Sequence, residues 1–231
     1  MPEKTSIIMN AYIKSPMVAQ MTMASLANIR RYTGQPYELI VVDNEPLFPI
    51  RDEYKVLKID KYIKNEKDIG CYASYNLGVS QADPDSKYFV FIQNDVFVFE
   101  GWMEGLRKYL ENNLADVVFP DQVPRDREYV LNSYNLAWDS VEAMKGSRDA
   151  GLMMMTRRAF EIVGGWPEGL KTAIIAEKHM YDRIGRAGLR WADTNKVMIT
   201  HIMAATNLIR LHENPQDYND SVDKEEKYAN Q

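Results

Sequence analysis

The chain has 231 residues, of which 45% are hydrophobic and 26% charged, enough for one sizeable core and ordinary for a globular protein. A net charge of -5 argues against a nucleic-acid backbone as the main partner, which calls for a clustered basic face. The single cysteine, Cys71, excludes an internal disulfide and suits a reducing compartment. With no signal-like leader and no apolar run of membrane-spanning length, a soluble cytoplasmic protein is expected.

Ser6–Met9 is a short apolar run that ends at Asn10, Ala11 and Tyr12, a first strand and its loop. From Ser15 to Tyr32 apolar residues recur at helical spacing, and Thr33-Gly34 closes the helix. Leu39–Val42 is the near-continuous β-branched run of a strand buried in a parallel sheet; it stops at Asp43-Asn44 before Pro46. Val56–Ile59 reads as a weaker third strand, Cys71–Ser80 as a helix and Tyr88–Ile92 as a strand. A helix follows from Gly101-Trp102 to about Asn112, then a strand at Val117–Phe119. Residues 121–151 give mixed signals and read as loop with one helix or hairpin. Leu152–Thr156 is strand-like with a methionine run suited to core, Arg158–Val163 a short helix and Gly164-Gly165 a turn. Ile175–Ala187 is helical, and Trp191–His201 supplies the last strand or strands.

This rhythm predicts an α/β fold: one Rossmann-like domain with a mixed, mostly parallel sheet flanked by helices. The domain spans 1–212, and residues 213–231 form a polar tail or lid. Ligands of open α/β sheets bind beyond the carboxyl ends of strands. Three polar clusters stand at such ends: Asn10–Tyr12, Asp43-Asn44 and Gln93-Asn94-Asp95. The last interrupts two apolar runs, where a carboxylate is costly to bury unless something pairs with it.

The order of motifs resembles the family 2 glycosyltransferases, which have a GT-A fold. It is carried by Ser6–Tyr12, Glu38–Pro46, Asn65–Val79, Tyr88–Trp102, Met153–Gly169 and Ala176–Trp191. The resemblance implies an inverting, metal-dependent transfer of a sugar from a nucleotide-diphosphate donor, a UDP-sugar first, to an acceptor hydroxyl, with a donor half of about 1–100 and an acceptor half of about 101–212. It places Asp43, with Asn44 and the loop Asn10, Ala11 and Tyr12, around the nucleotide. Gln93, Asn94 and Asp95 fall on the family's Asp-x-Asp motif, with Gln93 departing from it. Asp95 and His201 fall on its metal ligands, for Mn²⁺ or Mg²⁺. Glu177 falls on the catalytic base, where Asp is usual, and Ala176 replaces a preceding acid. Gly70 and Asn76 fall near the diphosphate, and Trp166 and His179 on the acceptor side. The acceptor stays open among glycan, lipid-linked sugar, protein and modified nucleobase.

Each residue also has an ordinary reading. Asp95 would cap a turn, Asp43 would bond its own backbone, His201 would be structural, Glu177 solvated surface and Trp166 core. Two other functions compete. A nucleotidyltransferase would want a glycine-rich basic loop after the first strand, but Asn10–Pro16 has no glycine and one lysine. A non-catalytic nucleotide-sugar binder would account for the missing acids at Gln93 and Ala176.

Overall fold

The structure, a computed structural model, describes residues 3–34, 36–50, 53–123, 151–169, 173–202 and 216. Of the expected loop region 121–151, residues 124–150 lie outside the described residues, as does the tail apart from Gln216. Residues 121–123 continue the strand expected at Val117–Phe119 rather than opening the loop.

Chain order is β1 (Thr5–Ala11), α1 (Pro16–Tyr32), β2 (Tyr37–Asn44), α2 (Glu53–Val56), β3 (Lys61–Asn65), α3 (Cys71–Ser80), β4 (Tyr88–Gln93) and β5 (Val96–Val98). Then come α4 (Trp102–Glu111), β6 (Val117–Val123), β7 (Leu152–Thr156), α5 (Arg157–Val163), α6 (Ala173–Arg186) and β8 (Trp191–His201). These eight strands form one mixed sheet in the order β3-β2-β1-β4-β7-β6-β8-β5.

Local chemistry sets these elements. The Ser15 side chain caps α1 by accepting from Val18 N at 3.3 Å, Pro16 starts the helix, and Arg30 and Arg31 face the negative end of its dipole. Gly70 precedes α3 at φ 87°, a conformation that favours glycine. Alternate strand residues then serve two cores. Ile7, Met9, Leu39, Val41, Val90 and Met154 face α1 and α4. Ile8, Ile40, Phe89, Phe91, Met153 and Met155 face α3, α5 and α6. Central strands buried on both sides are what the β-branched runs predicted.

The third strand corrects the sequence reading. Val56 ends helix α2 and is 83% exposed, Lys58 turns the chain at φ 51°, and the strand is Lys61–Asn65. As an edge strand with half-exposed faces, β3 carries no buried apolar run to announce it.

The connection from β4 to β5 shapes the site. Gln93 and Val96 are separated only by Asn94 and Asp95, so their Cα atoms are at most about 11 Å apart. Yet β7, β6 and β8 lie between these strands in the sheet, and four strand steps in a flat sheet would be about 19 Å. The sheet must therefore curl. The β6–β8 ladder supplies a break: Pro120 pairs with Thr194, but Asp121 pairs with Met198. Beyond that irregularity the end of β8 swings towards β4, and β5 adds to it antiparallel, Val96 opposite His201. Helix α1 closes the outer side of β5. Ser25 Oγ donates to Val96 O at 2.6 Å, and the Asn28 amide bonds both Val98 O and Val98 N.

Candidate functional site

The strand tips converge as the topology requires. Asn10 stands opposite Val42 on one side and Gln93 on the other, and Ala11 opposite Asp43. Asn44 ties this rim together. It is buried, and its Nδ2 donates to Ser74 Oγ at 2.6 Å, Asn10 Oδ1 at 3.2 Å and Gly70 O at 3.4 Å, while Oδ1 accepts from Asn65 Nδ2 at 2.8 Å. One amide thus joins β1, β2, β3 and the start of α3. Ala11 is buried, and Tyr12 is half-buried with Lys14 Nζ 4.8 Å from its ring centroid.

Asp43 is fully buried. Its Oδ2 accepts from the Tyr62 hydroxyl at 2.6 Å, while Oδ1 has no hydrogen-bond partner among the described residues. Burial pushes its carboxyl up to about 6; the Tyr62 hydroxyl, the Ile13 N–H and the Lys14 and Lys64 charges pull the other way.

Asp95 and His201 meet through the β5–β8 pairing. Asp95 Oδ1 lies 3.2 Å from His201 Nε2, with both side chains about 5% exposed or less. They are within ion-pair distance but not aligned for a hydrogen bond, and Asp95 Oδ1 is a buried oxygen with no hydrogen-bond donor among the described residues. Neighbouring ligands of an octahedral cation at about 2.1 Å sit about 3 Å apart, so this spacing fits two ligands of one divalent ion. Among the described residues no third His, Cys, Asp or Glu joins them. Such a site would rely on oxygens from a substrate and water, as hard cations on phosphates commonly do.

Glu177 is buried on α6 rather than solvated, and accepts from the Tyr72 hydroxyl of α3 at 3.0 Å. Its charge and that of Asp95 both bear on the start of α3. The Cys71 thiol is pushed up first by burial, then by the negative charges of Glu177, Asp68 and Asp95. Tyr75 is raised by burial and by charges that again include Glu177 and Asp95. The start of α3 therefore lies within the field of both carboxylates.

Other expected residues take different places. Asn94 is buried and donates to Thr22 Oγ1 of α1 at 2.8 Å, anchoring the β4–β5 turn. Gln93, half-buried, donates its N–H to Gly151 O at 2.9 Å. Gly70 O receives Ser74 N and Ser74 Oγ, and its N–H goes to Asp68 Oδ1. Asn76 grips the Trp166 backbone, donating to its carbonyl and accepting from its N–H, each at 2.9 Å. Trp166 is 2% exposed and packs on Tyr72, Tyr75 and Phe91, which puts its ring in the core. His179 follows Glu177 by two helical positions, a rotation of about 200°, so it points away from Glu177.

Two residues of this site carried no mark in the sequence. Tyr72 sat among the apolar positions of a helix. Gly151 has an ordinary backbone conformation, yet a Cβ there would stand 2.7 Å from His201 Nδ1. Only the folded packing reveals that requirement.

The family model for glycosyl transferase family 2 matches residues 6–166, well over half of the chain. The chain belongs to that family. No curated protein matches it in sequence. Its fold is that of solved GT-A glycosyltransferases. The S. aureus TarS 1-349 structure in complex with UDP-GlcNAc aligns at TM-score 0.58 and 14% identity, over 85% of this chain and 58% of that one. The complex of the same protein with UDP aligns at TM-score 0.61 and 15% identity, over 85% and 60%. GalNAc-T7 with UDP, GalNAc and Mn²⁺ aligns at TM-score 0.66 and 15% identity, over 86% of this chain and 43% of that chain. The family 2 chain thus spans about three fifths of the TarS structures and less than half of GalNAc-T7. Among its described residues, no helix is long and apolar enough to cross a membrane.

Proposed function

We propose that this family 2 member transfers a sugar from a UDP-sugar to an acceptor hydroxyl with inversion, using Glu177 as base and a divalent ion held by Asp95 and His201. The observation that carries the reading is the pair Asp95 Oδ1 and His201 Nε2, 3.2 Å apart at a curled sheet's strand tips. The TarS complexes with UDP and UDP-GlcNAc support the donor class, and GalNAc-T7 with Mn²⁺ supports the ion.

In this scheme the acceptor oxygen attacks the anomeric carbon. The anomeric C–O bond to the diphosphate breaks, and the diphosphate leaves with the electron pair. The acceptor's proton goes to the Glu177 carboxylate, a transfer worth about 10²–10⁴-fold. A bound Mn²⁺ or Mg²⁺ offsets negative charge on the departing diphosphate. Asp95 and His201 would hold the ion. Asp43 Oδ1, a buried acceptor with no hydrogen bond from the described residues, suits the imide N–H of uracil. Because Asp43 has no exposed surface, the base would reach it by displacing groups packed over it.

The test is UDP release from a panel of UDP-sugars in Mn²⁺. The wild-type protein is expected to release UDP slowly even without acceptor. Glu177→Gln should lose about 10²–10⁴-fold of turnover with UDP affinity unchanged. Undiminished turnover by that variant moves the base elsewhere. UDP binding with no turnover across donors and acceptors makes the protein a nucleotide-sugar binder.

A further inference from the structure

We infer that Tyr72 is a positioning residue for Glu177: its hydroxyl holds the carboxylate in one rotamer and keeps it ionised. The inference rests on the proposed role of Glu177 as base and goes beyond it, because Tyr72 touches neither donor nor acceptor in that scheme.

Three observations carry it. The Tyr72 hydroxyl donates to Glu177 Oε1 at 3.0 Å between two buried side chains. The phenol is itself fixed, since its ring is 4.6 Å from that of Trp166 and 6.0 Å from that of Tyr75. Trp166 in turn is clamped from two helices: Asn76 on α3 bonds its backbone N–H and C=O, and Arg183 on α6 donates to Gly165 O at 3.0 Å. The hydroxyl that meets Glu177 therefore projects from a rigid cluster.

Glutamate needs such a partner. It has one more rotatable bond than aspartate, so an unanchored carboxylate would sample more positions. Burial also favours the neutral acid, which cannot accept a proton. A hydrogen bond donated to the charged form opposes that tendency. Tyr72 is suited to the task because burial and the Glu177 charge raise its own pKa well above the usual phenol range, so it stays a donor. No proton is transferred between the two; the phenol O–H stays intact throughout.

The test is Tyr72→Phe in the full chain, read two ways. First, the Glu177 side-chain carboxyl is titrated by ¹³C NMR, its resonance assigned by its absence in Glu177→Gln. In Tyr72→Phe its midpoint is expected to rise by about one pH unit. A purely structural tyrosine would leave the midpoint in place, and an unchanged midpoint overturns the inference. Second, where UDP release is measurable, the acidic limb of its pH profile should move in step, and Tyr72→Phe should add nothing in the Glu177→Gln background. Additive losses there would also overturn it. If Glu177→Gln keeps full turnover while the Glu177 midpoint still depends on Tyr72, the base assignment has failed and the Tyr72–Glu177 coupling has not. If Tyr72→Phe fails to fold, Glu177→Asp, which withdraws the carboxylate from the hydroxyl, supplies the same comparison against wild type. The shortened carboxyl of that variant should titrate higher, relative to an ordinary aspartate, than Glu177 does relative to an ordinary glutamate; an equal or lower offset overturns the inference.

Discussion

The imidazole of His201 lies against the backbone of Gly151, so closely that a Cβ at Gly151 would stand 2.7 Å from Nδ1 and 3.1 Å from Cγ and Cε1. These contacts are with the ring itself, which is buried and faces Asp95. Gly151→Ala should push the ring off its position opposite Asp95 Oδ1. Changes just outside a metal's ligands typically cost about 10–100-fold in affinity. Calorimetry of UDP binding with and without Mn²⁺ should show the metal-dependent gain reduced by that order, with metal-free affinity unchanged. A full metal-dependent gain in Gly151→Ala would refute the role given to the ring's placement.

Asp95→Asn separates charge from shape. It keeps the side chain's size but removes the negative charge from a buried oxygen that has no hydrogen-bond donor among the described residues. UDP affinity in Mn²⁺ should fall to the value seen with a chelator, while thermal stability is held or rises. If Mn²⁺ strengthens UDP binding to this variant as it does to the parent, Asp95 is not a metal ligand.

The central fold was legible in the chain because its cause is local. β1, β2 and β4 are buried on both faces, and their apolar runs follow from that alone. β3 escaped because a half-exposed edge such as Lys61–Asn65 needs no such run. β5 is three residues long and exists only because β8 is there to pair with it. The site divides the same way. Asp43 and Asp95 stood out as acids ending apolar runs, and Glu177 entered only through the family's motif order. The pairing of Asp95 with His201 depends on the curl of the sheet and the break at Pro120/Asp121, which no local pattern encodes. Tyr72 and Gly151 matter only through what they touch.

Asp43 makes stability depend on pH in a direction opposite to the usual acid. Its carboxyl titrates at about 6 in the fold, against 3.8 for the ordinary side chain. Between those values the native state binds more protons than the unfolded chain, so stability falls as pH rises through that window and is level above it. About two pH units correspond to roughly 3 kcal/mol. Asp43→Asn keeps an oxygen for the Tyr62 hydroxyl and removes this penalty. Its melting temperature relative to wild type should climb between about pH 4 and pH 6 to 7, then plateau. The same variant should bind UDP more weakly above pH 6, where the wild-type carboxylate is ionised. A pH-independent difference in melting temperature would mean that Asp43 is not held neutral by burial.

Asn76 distinguishes the two sides of the site. Its amide bonds Trp166 N and O, and Nδ2 also reaches Glu168 Oε1 at 2.8 Å, so both polar atoms are engaged with the Gly-Gly-Trp turn. The Cβ position of Gly165 is only 3.0 Å from Asn76 Oδ1, and the fit leaves little room for another side chain to take over. Asn76→Ala would leave the buried Trp166 backbone groups without these partners, at a cost of about 2–6 kcal/mol for two unsatisfied groups. The urea midpoint should fall accordingly with little change in slope. Because the loosened turn holds the Trp166–Tyr72 stack, turnover should fall with it, while UDP affinity stays near the wild-type value. If instead UDP affinity drops and stability is untouched, Asn76 serves the donor's diphosphate directly, and the clamp on Trp166 is incidental.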